Sequence, residues 1–145
     1  MERVLVGVDG SDASERAVDF AAQWAALKHV DLWLVSVSDH GSLSPVQIDA
    51  LARGEHMDRQ ELLSALSVQL LERAKERAEE LGAKTVHMEL RTGDPAREII
   101  EVAQEINGTM IIVGKRGCGT LAGLIVGSVS HKLVSLASVP VVVVP

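Results

Sequence analysis

The chain is poor in the residues that most often announce a function. Of its 145 residues one is cysteine, Cys118, none is tyrosine, and the aromatic rings are Phe20, Trp24 and Trp33. A lone thiol excludes an intramolecular disulfide and any cysteine cluster around a metal. So few rings also leave no stacking platform for single-stranded nucleic acid. Positive charge is not in excess either. The 14 Lys and Arg against 20 Asp and Glu leave a net charge of −6, the wrong sign for holding a phosphate backbone. No apolar run approaches the length that spans a bilayer, and Met1-Glu2-Arg3 leads directly into an apolar segment. The expectation is a cytoplasmic protein with no membrane insertion, no signal peptide and no nucleic-acid partner. His29, His40, His56, His87 and His131 show no metal-ligand spacing, so no metal site is expected on them. The remainder, 47% hydrophobic and 23% charged, is that of a soluble globular protein. Its length suits one domain, read as 1–145, with a substantial core.

The order of elements is legible from periodicity. Val4-Leu5-Val6-Gly7-Val8 is a continuous apolar run of the kind found in strands buried on both faces. After Asp9-Gly10-Ser11-Asp12, residues Ala17, Phe20, Ala21, Trp24 and Leu27 recur at helical spacing. Asp12 with Glu15 fits a capping box, and Ser11 competes for the cap. Residues 32–37 read as a second strand, and 39–57 as a long connection with about one helical turn. Leu63, Leu66, Leu70, Ala74, Ala78 and Leu81 form one face of a helix that Gly82 stops. Its charged run, Glu72 to Glu80, is a solvated face. A third strand is predicted over 85–90. Asp94-Pro95 starts a helix with Ala96, Ile99, Ile100, Ala103 and Ile106 inward. Strand four is predicted over 109–113, a last helix over about 128–137, and a fifth strand over 139–145. Strands alternating with helices imply right-handed crossovers, a mainly parallel sheet and helices on both faces.

The most informative stretch lies between strand four and the last helix. Gly114-Lys115-Arg116-Gly117-Cys118 leaves an apolar strand, and Gly127-Ser128 opens a helix, giving the spacing G-x2-G-x9-G-S. A glycine loop that ends at a helix N-terminus presents unpaired N–H groups and partial positive charge, which is a phosphate cradle. The spacing is neither the Walker A pattern nor the dinucleotide fingerprint. At least one of Lys115 and Arg116 is expected to neutralise phosphate, while Cys118 reads as an ordinary loop thiol. Asp9, following a buried strand and with Ser11 and Asp12 available as caps, reads as a ligand contact.

Those segments, together with Gly93-Asp94-Pro95-Ala96 and the ending Val139-Pro140-Val141-Val142-Val143-Val144, resemble the universal stress protein family over nearly the whole chain. The 39–57 segment is the unmatched part. Thr109, where many relatives carry an acid, and Cys118-Gly119-Thr120 in the loop depart from the pattern without breaking it. The resemblance implies a doubly wound, Rossmann-like α/β fold with a five-stranded sheet of order 3-2-1-4-5. It also implies the nucleotide-binding subgroup, with ATP and Mg²⁺ as the expected ligands. Residue by residue, it assigns Val8 and Asp9 to adenosine, the Asp9 carboxylate accepting from ribose hydroxyls, and the Val37 backbone to the adenine edge. Val113, Gly114, Arg116 and Gly117 would border ribose and phosphates. Gly127, Ser128, Val129 and Ser130 would hold phosphate oxygens. A two-fold homodimer through antiparallel pairing of the last strand is implied as well, in keeping with an apolar β-branched edge that needs a partner.

For function this reads as a stress-response regulatory protein that binds ATP and acts by conformational or assembly change. Efficient hydrolysis is not expected: there is no Walker lysine or Walker B acid, and no second carboxylate near the loop to fix Mg²⁺ with Asp9. Two alternatives stay open. One is a weak ATPase or phosphotransferase, autophosphorylated on Ser128 or Ser130. The other is a nucleotide-independent interaction module.

Overall fold

The computed structural model describes residues 2–38, 59–115 and 127–145. The 39–57 connection, Arg116, Gly117 and Cys118 lie outside the described residues. The strands are β1 (Arg3–Gly7), β2 (Asp31–Ser38), β3 (Val86–Thr92), β4 (Met110–Gly114) and β5 (Val141–Val144). The helices are α1 (Asp12–Lys28), α2 (Arg59–Glu80), α3 (Pro95–Glu105) and α4 (Ser128–Leu136). The strands form one sheet in the order β3-β2-β1-β4-β5, and every pairing is parallel. This is the doubly wound α/β arrangement expected, with the winding reversed between β1 and β4.

Strand alternation divides the core into two layers. Val4, Val6, Leu32, Leu34 and Ile112 project to one face and meet Ala17, Val18, Ala21, Ala22 and Ala25 of α1 with Leu71 and Ala78 of α2. Leu5, Val35, Ile111 and Val113 project to the other and meet Ala96, Ile99, Val102 and Ala103 of α3 with Leu133 of α4. The face that α1 buries is offset from the stripe that announces it. Phe20 and Leu27 are 39% and 73% exposed, while the alanines and Val18 turn inward. Small side chains let the helix axis approach the strands, so shape complementarity outweighs residue size in choosing the face.

Caps fix where the helices begin and end. α3 starts as predicted: Asp94 accepts from the Arg97 N–H at 3.1 Å and Pro95 occupies the first turn. α2 stops at the Gly82 turn, where the Ala83 N–H reaches Ala78 O at 3.0 Å. At α1 the competing cap prevails. Its cap is Ser11, whose Oγ accepts from the Ser14 N–H at 3.2 Å, and Asp12 stands inside the first turn. The Asp12–Glu15 capping box does not form; the Ser11 hydroxyl that caps the helix also donates to Asp9 Oδ1.

Candidate functional site

Beyond Gly7 the chain leaves the sheet through a short hydrogen-bonded turn. The Val8 N–H donates to Val35 O at 2.8 Å, one last bond to β2. Asp9 Oδ1 then accepts from both the N–H and the hydroxyl of Ser11, at 2.9 and 2.6 Å. Such an Asx turn supplies Ser11, two residues beyond Asp9, with a partner the sheet no longer provides. Ser14 locks the turn from below. Its buried hydroxyl donates to Gly7 O at 3.3 Å and accepts from the Asp9 N–H at 3.1 Å. The Asp9 side chain is thereby held at the carboxyl end of β1, exposed and immediately before the positive end of α1. Asp9 was read from the sequence as a site residue; Ser14 was not. Its signal was the Ser11-x-x-Ser14 spacing, which places a second hydroxyl on the inner side of the first turn.

The ends of β2 and β4 turn their backbone polar groups toward this point. In a strand the N–H and C=O of one residue face the same neighbour, and the direction reverses at each step. Val35 O faces β1, since it receives the Val8 N–H. Val37 therefore faces the same way, beyond Gly7, the last β1 residue paired with β2. Its own side chain packs into the α3 layer. On β4, Lys115 donates its N–H to Val144 of β5 at 2.6 Å. One step back, Gly114 must face β1, beyond Ile112, the last β4 residue paired with β1. Gly114 also packs closely on α1. A Cβ there would lie 2.8 Å from Ala13 C, 2.9 Å from Ala13 Cβ and 2.9 Å from Ser14 N. Its missing side chain is thus required by the helix that carries the Asp9 turn, whatever else approaches it.

Lys115 and Gly127 bring the two ends of the glycine loop together. The Gly127 N–H donates to Lys115 O at 2.7 Å, and the Ser130 hydroxyl reaches the same carbonyl at 2.9 Å and Gly127 O at 3.1 Å. Ser130 is 2% exposed, so its hydroxyl braces the loop from inside. Ser128 is exposed and Val129 half-buried. Unlike α1 and α3, α4 starts without a side-chain cap: Gly127 occupies the cap position and supplies no acceptor. Among the described residues, no side chain caps the first N–H groups of α4. α4 is anchored to α3 by Lys132, which donates to Asp94 at 3.3 Å. The Arg97 N–H, and after it Lys132, hold the Asp94 carboxyl below the usual carboxylate range.

The described site residues thus gather at one place, the carboxyl ends of β1, β2 and β4 and the amino end of α4. Val8, Asp9, Val37, Val113, Gly114, Gly127, Ser128, Val129 and Ser130 all lie at these element ends. This is the point where the winding reverses, at which open α/β sheets take ligands.

The family model described as the universal stress protein family matches residues 1–145. The chain belongs to this family. Among the curated members, it is 36% identical over 143 residues to universal stress protein Rv1636 of Mycobacterium tuberculosis, covering 97% of this chain and 94% of that one. It is 32% identical over 147 residues to YxiE of Bacillus subtilis, covering 98% and 97%. Among solved structures, a universal stress protein in complex with cAMP is 29% identical with a TM-score of 0.69, covering 99% of this chain and 95% of that one. The family member UspA from Lactobacillus plantarum shares the fold with a TM-score of 0.79 at 24% identity, covering 99% and 97%.

Proposed function

We propose that this universal stress protein binds an adenine nucleotide, ATP with Mg²⁺, where β1 and β4 diverge, and acts through the resulting change in conformation or assembly. The observation that carries this reading is the amino end of α4, which no side chain among the described residues caps, at the strand ends where Asp9 is held. Backbone N–H groups and the helix dipole suit an anion there. The residues present fit such a ligand. Val37 turns main-chain donor and acceptor toward the same side for a base edge, and Asp9 is a carboxylate for ribose hydroxyls. Ser128 and Val129 offer N–H groups to phosphate oxygens, as does Ser130, whose hydroxyl is already engaged. Arg116 and Gly117, which lie outside the described residues, enter this reading through the family resemblance alone. The solved relative carrying cAMP supports the adenine class. We further read the protein as cytoplasmic, as a stress-response regulator with slow turnover, and as a homodimer through β5.

The test is to identify what the freshly purified protein releases on heat denaturation, by chromatography and mass spectrometry. Near-stoichiometric ATP supports the reading. Mostly ADP favours the weak-ATPase alternative, and cAMP in place of ATP overturns the triphosphate assignment. No nucleotide, followed by no thermal shift with Mg-ATP or cAMP, overturns nucleotide binding and leaves the interaction-module reading. Asp9→Ala should weaken adenosine recognition, and Gly117→Val should abolish binding without unfolding the sheet.

A further inference from the structure

A second concavity lies on the other side of the Asp9 turn, between α1 and α2. It is a cleft of about 360 Å³, within the range of small-molecule sites. Its floor is apolar, formed by Val8, Val18 and Ala74. Gly10 closes the upper end. It has φ of +82°, and a Cβ there would come within 2.9 Å of Leu70 Cδ2. The lower end is closed by a cross-helix pair, Arg77 donating through Nε and Nη2 to the Asp19 carboxylate at 2.9 and 3.2 Å.

Both helices return from the carboxyl to the amino ends of a parallel sheet, so they run side by side in the same direction. One turn back from Asp19 and Arg77, along each helix, stand Glu15 and Arg73. They form the next rung of the same ladder, and both line the cleft. Unlike the rung below, this one is open. Among the described residues, neither side chain has a hydrogen-bond or ion-pair partner. The cleft therefore offers one carboxylate, one guanidinium and an apolar floor between them.

We propose that this cleft binds a small zwitterion with an apolar side chain, an aliphatic α-amino acid, its ammonium on Glu15 and its carboxylate on Arg73. The guanidinium fork matches a carboxylate in two parallel hydrogen bonds, which an ammonium ligand alone would not use. Glu15 opposes a simple carboxylic acid and favours a ligand that also carries positive charge. The aliphatic part lies over Val18 and Ala74 and under Leu70, closing the open rung as Asp19 and Arg77 close the one below.

The probe is L-leucine, titrated into the full chain without added nucleotide and followed by calorimetry and by amide shifts in NMR spectra. Two controls each keep the aliphatic body and one charge: 4-methylpentanoate and 3-methylbutylamine. Leucine is expected to shift α1 and α2 amides, with each control weaker by at least about tenfold, the worth of one charge-assisted hydrogen bond. Arg73→Gln and Glu15→Gln, both on exposed positions that do not hold the fold, should each weaken leucine by a similar factor. Absence of binding at millimolar leucine overturns the site. So does leucine binding that both variants leave unchanged, and equal binding by 4-methylpentanoate overturns the zwitterion. Val8 borders both sites, but Glu15 and Arg73 line the cleft and are not among the nucleotide-site residues, so the two readings fail separately.

Discussion

Replacing Gly114 by alanine tests whether this glycine serves the fold. The added methyl would meet three atoms of the first turn of α1 at 2.8 to 2.9 Å, two of them backbone. Ordinary carbon contacts begin near 3.5 Å, so β4 and α1 must separate by roughly 0.7 Å. α1 cannot yield freely there, because Ser14 is tied to Gly7 and Asp9 at 3.3 and 3.1 Å. Overpacking against a rigid wall costs up to about 3 kcal/mol. The reduced freedom of the unfolded chain offsets somewhat under 1 kcal/mol of that. The net loss is about 2 kcal/mol, a fall in Tm of roughly 8 °C for a domain of this size. Gly7→Ala is the control. A Cβ at Gly7 would meet only the side-chain ends Ile99 Cδ1 and Val113 Cγ1, both at 3.3 Å, which can shift. That variant should lie within about 1 kcal/mol of the parent. Urea denaturation with fluorescence of Trp24 and Trp33, alongside calorimetry, reads both. If Gly114→Ala is as stable as Gly7→Ala, the close approach of β4 to α1 is not what requires glycine.

Asp94→Ala should lose about 1 kcal/mol at neutral pH, since the α3 cap and the Lys132 contact go together. The folded-state pKa of Asp94 is depressed, so its contribution is complete above the unfolded-chain value near ~3.9 and is lost as pH falls through the folded value. The stability gap between parent and variant, measured in urea from pH 7 to pH 3, should therefore narrow toward the acid end; a constant gap would refute the assignment. At the sheet edge, Val142 and Val144 turn their carbonyls to β4, as the Lys115 N–H shows, so Val141 and Val143 turn their N–H groups outward. Val143→Pro removes a donor the sheet does not use, and should leave the monomer folded while dissociating the proposed dimer in sedimentation equilibrium. Persistence of a dimer in this variant would place its interface elsewhere.

How much of this was legible in the chain differs from element to element. The buried runs Val4 to Val8 and Met110 to Val113 announced central strands because a strand covered on both faces is apolar at every position. Asp94-Pro95 announced the start of α3 because a cap is satisfied within one turn of chain. The start of α1 was left between two caps, Asp12 and Ser11, for a related reason. Asp12, Ser11 and Asp9 are all capable acceptors, and only the structure shows Ser11 capping the helix while its hydroxyl donates to Asp9. The inward face of α1 was offset from its larger side chains, a choice made by the space the sheet leaves rather than by hydrophobicity. At the site, Asp9 and the glycine spacing stood out, but Ser14 did not, since a serine inside a helix is unremarkable until its neighbours are known.

Local order is what the sequence by itself determined: which segments are strands, which are helices, where most of them start, and the family pattern of glycines around a helix start. Those properties depend on residues within a turn or two of one another, and the chain states them directly. Only the tertiary structure decided which backbone groups face the divergence of β1 and β4. It alone set Gly114 against α1, turned the Ser130 hydroxyl inward, brought the amino end of α4 to the strand ends, and placed Glu15 and Arg73 along one cleft. Each of these joins residues far apart in the chain, and their geometry follows from strand parity and helix packing, neither of which any single segment encodes.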